Sequence, residues 1–197
     1  MQIDTEHLHF WMQAIRQSPD PMRTMDAFWC GQIKSKEWLI RQLECLNLPP
    51  STIEIHGGWV GVLASMLFQS KLSIQHIVSI DIDPSVRLIA EEMNRIENIQ
   101  GKFRSETADM TTQYYGADIA INTSFEHIIQ HQYDMWLSIR SSNQLIVLQS
   151  NNYDIEEHVR IAKDLREFET QAKLSRIVYK GEIDLPKYKR FMIIGYK

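Results

Sequence analysis

Four short stretches of the chain place glycines, carboxylates or other polar side chains directly after a β-rich run. The first is the glycine turn, Gly57-Gly58-Trp59-Val60-Gly61, which follows Thr52–His56 and precedes an apolar stretch. Glycines between a strand and a helix let the backbone approach a ligand closely and adopt positive φ angles, and the helix that follows offers unpaired N–H groups. The turn is therefore a candidate ligand-binding site. The alternative is that its glycines serve only the packing of a tight turn.

The second stretch contains two aspartates with different predicted roles. Asp81 lies near the end of the apolar run 76–82, about twenty residues beyond the glycine turn. A carboxylate at this spacing is placed to accept hydrogen bonds from both hydroxyls of a ribose. Asp83 precedes Pro84, which is typical of a helix N-cap with proline at the first helical position. We therefore predict that Asp81, with the adjacent Ile82, contacts a ligand and that Asp83 caps a helix.

The third stretch, residues 106–110, follows a weaker strand pattern near residues 101–105. The carboxylate of Asp109, beside Met110, is suited to accept a hydrogen bond from an exocyclic amine such as that of adenine. The alternative is a solvated turn or a helix cap.

The fourth stretch, residues 122–127, carries the side chains best suited to act on a substrate. Asn122 and Ser124 offer hydrogen bonds. Glu126 and His127 are candidates for general acid–base catalysis, since histidine titrates near neutral pH; helix capping is the alternative for this stretch. His127 and His131 have i,i+4 spacing, but the sequence shows no third ligand, and so no metal site is predicted.

Alternating strand and helix patterns place these four stretches at one edge of a sheet. The predicted strands are 52–56, 76–82, 101–105, 117–122, 144–149, 174–179 and 190–196, and the predicted helices are 60–72, 84–98, 125–139 and 154–168. Such alternation favours right-handed βαβ units and a parallel sheet that binds ligands at the carboxyl ends of its strands. Only about ten residues separate the last two strands, too few for a crossover helix, and these strands are therefore predicted to pair antiparallel.

Residues 1–50 are predicted to be a helical segment of the same domain, which continues over residues 51–197. Trp11, Trp29 and Trp38 in this segment are expected to pack on the sheet; the alternative is that they cover the site and select the substrate. The cluster 34–36, Lys-Ser-Lys, is interpreted as a solvated helix start, with contact to an anionic substrate as the alternative.

Composition limits the classes of protein to which the chain can belong. Its 197 residues, 44% of them hydrophobic, suffice for one sizeable core and not for two domains. A formal net charge of -4 gives no overall field that would hold a nucleic acid, although a local basic patch is still compatible with such binding. No apolar run reaches membrane-spanning length, no signal peptide is recognised, and Cys30 and Cys45 are interpreted as reduced thiols. We therefore expect a cytoplasmic protein that does not act at a membrane.

Together, the glycine turn, Asp81, Asp109, the stretch Ile121–Phe125 and the closing strand pair resemble class I S-adenosylmethionine-dependent methyltransferases over about residues 50–197. The resemblance implies an α/β fold: a Rossmann-like three-layer sandwich with a mostly parallel sheet and an antiparallel C-terminal strand, preceded here by N-terminal helices. It also implies S-adenosyl-L-methionine (SAM) as the cofactor. The residues predicted to bind SAM are His56, Gly57, Gly58, Trp59, Gly61, Asp81, Ile82, Asp109, Met110 and Asn122, and those predicted to act in catalysis are Asn122, Ser124, Glu126 and His127.

In this family the glycine turn lies against the amino acid moiety of SAM, the acid after the second strand holds the ribose, and the acid after the third contacts adenine. Trp59 stands where the middle glycine of the family's turn belongs. The stretch 122–125 matches the Asn-Pro-Pro-Phe/Tyr motif of amino-methylating members only at its ends, and so methylation of a base nitrogen is not inferred.

Other functions remain open at this stage. A nicotinamide-dependent oxidoreductase is the closest alternative, because His56-x-Gly58-x-x-Gly61 imitates the dinucleotide fingerprint. The histidine in place of its first glycine and the antiparallel strand pair argue against it. The others are a non-catalytic binding or structural protein with the SAM fold, and a reaction of SAM other than methyl transfer. The methyl acceptor is unknown: a small molecule or nucleotide is favoured over a protein, and a nucleic acid stays open.

Overall fold

Seven strands form one mixed sheet in the computed structural model, which describes residues 4–197. The strands are β1 Ser51–His56, β2 Ile74–Asp81, β3 Phe103–Thr107, β4 Ile119–Asn122, β5 Leu145–Asn151, β6 Arg176–Asp184 and β7 Lys189–Tyr196. Their order across the sheet is β3-β2-β1-β4-β5-β7-β6. The first five strands run parallel, and β7 pairs antiparallel with both β5 and β6. The predicted Rossmann-like sheet with an antiparallel C-terminal strand is confirmed.

Burial along the strands explains this arrangement. All residues of β4 and β5 are buried, as expected of central parallel strands that are covered on both faces. In β6 exposed residues alternate with half-buried ones, the period of two of a strand whose outer face meets solvent. This strand accordingly lies at the edge of the sheet.

Helices cover both faces of the sheet and give the fold its three layers. They are α1 Thr5–Gln17, α2 Pro21–Asp26, α3 Cys30–Cys45, α4 Val62–Phe68, α5 Arg87–Met93, α6 Arg95–Ile99, α7 Gln130–Ser138 and α8 Leu165–Ala172. One core cluster joins side chains of α1, α3, α4 and α5 to the sheet, and a second joins α7 and α8 to its other face. The predicted helices at 60–72, 84–98 and 125–139 form over shorter spans, as α4, as α5 with α6, and as α7. Among residues 4–197, no helix combines the length and the apolar character needed to cross a bilayer.

The N-terminal helices pack on the sheet through their tryptophans. The indole N–H of Trp11 is buried and donates to Ser65 Oγ at 2.8 Å, which ties α1 to α4. The indole N–H of Trp38 donates to the hydroxyl of Tyr179 at 3.2 Å, which ties α3 to β6. Trp29 does not pack on the sheet as expected, because 66% of it is exposed.

The predicted helix at 154–168 is wrong. Residues 152–164, here called the 152–164 segment, have no regular secondary structure, and α8 begins only after them. The backbone N–H groups of Val159 and Arg160 donate to the carbonyl oxygen of Glu126, at 3.0 and 3.1 Å. These bonds to the region after β4 take the place of intrahelical ones, and they hold the segment beside the carboxyl end of the sheet.

Candidate functional site

A cleft of about 850 Å³ opens at the carboxyl ends of β1, β2 and β4. From β1 the chain moves outward to β2 and β3 and then returns to β4 on the other side, so this edge is the topological switch point at which open α/β sheets bind ligands. The volume is in the range of pockets for small molecules and cofactors. Its walls come from the glycine turn, the strand ends, the N-terminal helices and the 152–164 segment.

The glycine turn is shaped by packing as well as by its place at the cleft. A side chain at Gly58 would put its Cβ 1.9 Å from Ser79 Oγ, and one at Gly57 would lie 2.7 Å from Ser124 Oγ. Gly57 and Gly61 also have positive φ angles, 68° and 80°, which favour glycine. All three glycines thus have a reason in the packing or the backbone of the protein itself. Gly57 and Gly58 line the cleft as well, whereas Gly61 packs behind it against α5.

Trp59 and Asp81 form one unit at the centre of the cleft. Trp59 has a φ of 49°, a left-handed conformation that is uncommon for so bulky a residue. Its backbone N–H donates to Asp81 Oδ2 at 2.8 Å, and the N–H of Asp83 donates to Oδ1 at 3.0 Å. Both Trp59 and Asp81 line the cleft, as does Ile82, which is 72% exposed. The carboxylate therefore fixes the shape of the glycine turn and also faces the space where a ligand can bind.

The residues after β3 complete this part of the cleft. Asp109 and Met110 both line it. Asp109 Oδ1 accepts from the backbone N–H and the hydroxyl of Thr111, each at 2.8 Å. Asn122 is fully buried beneath Met110, and its Oδ1 accepts the backbone N–H of Ser124 at 2.9 Å. Asn122 thus supports the wall of the cleft and is not part of its lining.

His56 lies away from the cleft, in a buried polar cluster on the other side of β1. Glu54 Oε1 pairs with Arg140 Nη1 at 2.8 Å, and Glu54 Oε2 lies 3.5 Å from His56 Nε2. Burial alone would raise the pKa of Glu54, but His56 and Arg140 together hold that pKa below its ordinary value. Burial lowers the pKa of His56, against the opposing effect of Glu54. The structure therefore gives the histidine a place in the core and none beside a ligand.

The cleft continues toward Glu126, whose carboxylate is buried and held by two donors. Glu126 Oε1 accepts from Asn151 Nδ2 at 2.7 Å and from Arg190 Nη1 at 2.5 Å. Arg190 also donates to the carbonyl oxygen of Thr123. Ser124 and His127, also predicted for catalysis, line the same part of the cleft. Ser124, Glu126 and His127, three of the four residues predicted for catalysis, thus line this part of the cleft, whereas Asn122 is buried beneath its wall.

Lys36 is a residue of the cleft that sequence reasoning placed in solvent. It is buried, lines the cleft, and donates from Nζ to Gln32 Oε1 at 2.7 Å. Burial, together with the nearby charge of Arg190, lowers the pKa of Lys36 to about 7, and Glu126 partly opposes this change. The signal was present in the sequence, since Lys36 shares one helix face with the buried residues Leu39, Ile40 and Leu43.

His158 is the second residue that sequence reasoning missed, because it lies in the segment that was predicted to be helical. It lines the cleft with His127, and the two rings meet edge to face with centroids 4.9 Å apart. His127 Nδ1 donates to the carbonyl oxygen of Glu157 at 3.1 Å, and His158 Nδ1 donates to that of Tyr153 at 2.6 Å. No spacing in the sequence connects these two histidines.

Comparison with known proteins agrees with this geometry at the level of the fold. No family model and no curated protein matches the chain. Among solved structures, magnesium protoporphyrin IX methyltransferase (ChlM) from Synechocystis PCC 6803 with bound SAH is similar with a TM-score of 0.67 and 13% identity, over 98% of this chain and 94% of that one. N-methyltransferase NodS from Bradyrhizobium japonicum WM9, in complex with S-adenosyl-L-homocysteine (SAH), is similar with a TM-score of 0.66 and 12% identity, over 95% of this chain and 99% of that one. The chain therefore has the fold of class I SAM-dependent methyltransferases.

Proposed function

We propose that this protein binds SAM in the cleft and transfers its methyl group to an acceptor held near Glu126. The observation that carries the proposal is the position of Asp81. Its carboxylate ends β2, lines the cleft and holds the glycine turn through the N–H of Trp59. A carboxylate at this place in a doubly wound fold is the ordinary partner of a ribose.

The walls of the cleft offer a separate contact for each part of the cofactor. Each oxygen of Asp81 accepts one backbone N–H, which leaves a lone pair on each for the two ribose hydroxyls. Gly57 and Gly58 allow the amino acid moiety to approach the backbone. Asp109 has one oxygen engaged with Thr111, and its other oxygen is proposed to accept the exocyclic amine of adenine.

The far end of the cleft is proposed to hold the acceptor. SAM, when bound, supplies an activated methyl group on a good leaving group, so the chain has mainly to align the acceptor with it. An acceptor hydroxyl or amine also loses a proton. Lys36 is suited to take that proton, since its pKa of about 7 leaves much of it uncharged at neutral pH. The cleft of about 850 Å³ would have to hold SAM and the acceptor together, which favours a small molecule or nucleotide as acceptor.

Isothermal titration with SAH and with NAD tests this proposal. SAH is expected to bind the wild-type chain and NAD is not. Asp81→Asn should weaken SAH binding by at least about tenfold, because a hydrogen bond to a charged group contributes about 1.5–3 kcal/mol. Asp83→Asn is the matched control, since asparagine is also a good N-cap and Asp83 does not line the cleft. Binding of NAD in place of SAH, or equal SAH affinity in Asp81→Asn, would contradict the proposal.

A further inference from the structure

We propose that Glu126, His127 and His158 bind a divalent transition-metal ion at the acceptor end of the cleft. A carboxylate oxygen of Glu126 and one ring nitrogen of each histidine all lie within 4.8 Å of one another. The three residues line the same cleft. Two imidazoles and one carboxylate form a donor set that suits zinc and the other divalent first-row metals.

The hydrogen bonds of both histidines leave one nitrogen of each ring ready to ligate. A carbonyl oxygen only accepts, so Nδ1 of His127, bonded to that of Glu157, carries a proton. The same holds for Nδ1 of His158, bonded to the carbonyl oxygen of Tyr153. In a neutral imidazole the other nitrogen, Nε2, then has a free lone pair. Backbone carbonyls that hold Nδ1–H in this way are the usual outer partners of metal-binding histidines.

Glu126 supplies the second, independent observation. Its side chain is 4% exposed, and Oε1 is occupied by Asn151 and Arg190. Oε2 is also buried and has no hydrogen-bond partner among residues 4–197. A buried carboxylate oxygen without a partner is costly, and a cation at this point would remove that cost.

Charged side chains of both signs lie at this end of the cleft. Arg190 offsets the charge of Glu126, and Lys36 lines the cleft as well. Glu157, next to His158, lines the cleft and adds a second carboxylate. The two carboxylates thus offset the two cationic side chains, which reduces the repulsion that a divalent ion meets.

The distances require a modest closure of the ligands. Four ligands at about 2.1 Å around a tetrahedral ion lie about 3.4 Å apart, so the side chains approach one another by up to about 1.4 Å on binding. His127 is the exposed residue of the three, and so we expect its side chain to make most of this movement. Three protein ligands leave at least one position open toward the cleft. In a step that rests on the proposed function, an acceptor hydroxyl would bind the ion at that position, and the ion would lower the pKa of this hydroxyl.

Metal content and Co²⁺ absorption test the site directly. The full chain, loaded with Zn²⁺ or Co²⁺ and then desalted, is expected to keep about one ion per molecule, and Co²⁺ should show the visible absorption bands of nitrogen ligation. His127→Ala and His158→Ala should each weaken Zn²⁺ binding by at least about 100-fold, the upper end of what loss of a mere outer-shell partner costs. His131→Ala is the control, since His131 is exposed and lies outside the cluster.

Two outcomes would overturn the site: no retained Zn²⁺ or Co²⁺ in the wild-type chain, or equal Zn²⁺ affinity in all three variants. If His158→Ala fails to fold, His127→Ala decides, because its exposed side chain is the less important for stability. SAH titration of the same samples keeps the two proposals apart. If the wild-type chain retains Zn²⁺ but does not bind SAH, only the proposed function is contradicted. If the wild-type chain binds SAH but retains no Zn²⁺, only the metal site is contradicted.

Discussion

The carboxylate of Asp81 holds the backbone N–H of Trp59 at 2.8 Å, and so a residue at the end of β2 fixes the conformation of the loop after β1. Trp59 adopts a left-handed φ of 49°, a conformation that favours glycine. A strained backbone of this kind persists only when its surroundings over-determine it. Two contacts supply that constraint: the hydrogen bond from the backbone N–H of Trp59 to the carboxylate of Asp81, and the burial of Val60, the residue after Trp59.

Asp81→Ala is therefore expected to affect both stability and binding. Removal of the carboxylate frees the N–H groups of Trp59 and Asp83 and should lower the free energy of unfolding by about 1–3 kcal/mol. It should also abolish SAH binding. Urea unfolding and isothermal titration measure the two effects on one sample. Asp83→Ala removes the cap of residues 84–86 and an ion pair with Arg23 but no cleft-lining side chain, and it is the control that separates a loss of stability from a loss of binding. An unchanged free energy of unfolding would show that Trp59 keeps its conformation without Asp81.

The buried pair of Glu54 and Arg140 predicts a cost that depends on pH. Arg140→Met leaves the carboxylate of Glu54 buried without its guanidinium, which should destabilise the chain by about 3–5 kcal/mol near neutral pH. The pKa of Glu54 in the folded state lies below its ordinary value of 4.5. The pair therefore contributes stability above that ordinary value and loses it as the pH falls through the folded pKa.

Urea unfolding of Arg140→Met at neutral pH and in acid checks this prediction. The difference from wild type should shrink in acid, where Glu54 takes up a proton. The double variant Glu54→Gln with Arg140→Met is the matched control, and it should lose less stability than Arg140→Met alone. A deficit that is the same at every pH would instead assign the loss to packing of the arginine stem.

The central part of the sheet was predictable from the sequence because its strands contain apolar runs with a turn after each. Ile146, Val147 and Leu148 in β5 are an example, since such a short apolar run is typical of a strand that is buried on both faces. The position of Asp81 at the cleft was predictable for the same reason, because it lies at the end of a strand in a regular pattern. Sequence reasoning thus found the residues whose positions follow from local order along the chain.

The residues whose places the sequence does not predict depend on tertiary contacts. The 152–164 segment has the composition of a helix, but hydrogen bonds to Glu126 and Asn151 hold it in another conformation. His158 reaches the cleft only because of them. The charge of Lys36 predicts exposure to solvent, but the helix face that carries it is buried. The position of His56 next to the glycine turn predicts contact with a ligand, but alternation along β1 turns its side chain toward Arg140.

Lys36→Met is expected to stabilise the chain, more strongly at low pH. The pKa of Lys36 falls from 10.5 to about 7 on folding, so the unfolded chain binds more protons between these values. The folded state is penalised fully below pH 7, and the penalty declines as the pH rises toward 10.5. The gain from Lys36→Met should therefore be about 2–3 kcal/mol larger near pH 6 than near pH 9, at 1.36 kcal/mol per pKa unit.

Urea unfolding with a chelator present measures this gain. Lys34→Met is the matched control, because Lys34 lies on the same helix and does not line the cleft. A gain from Lys36→Met that does not vary with pH would contradict the lowered pKa, and it would also remove Lys36 as the base for the acceptor.

Gly58 allows the two explanations of the glycine turn, packing and ligand contact, to be separated. A Cβ at this position lies 1.9 Å from Ser79 Oγ and 3.2 Å from Ser79 Cβ. Gly58→Ala should therefore cost about 1–3 kcal/mol of stability through overpacking. Ser79→Ala removes the hydroxyl that collides, and the double variant should recover most of the loss. If packing is the whole reason for the glycine, the double variant also binds SAH with wild-type affinity. If the ligand needs the backbone of Gly58, stability returns in the double variant while SAH affinity stays reduced, and thermal unfolding with isothermal titration distinguishes the two results.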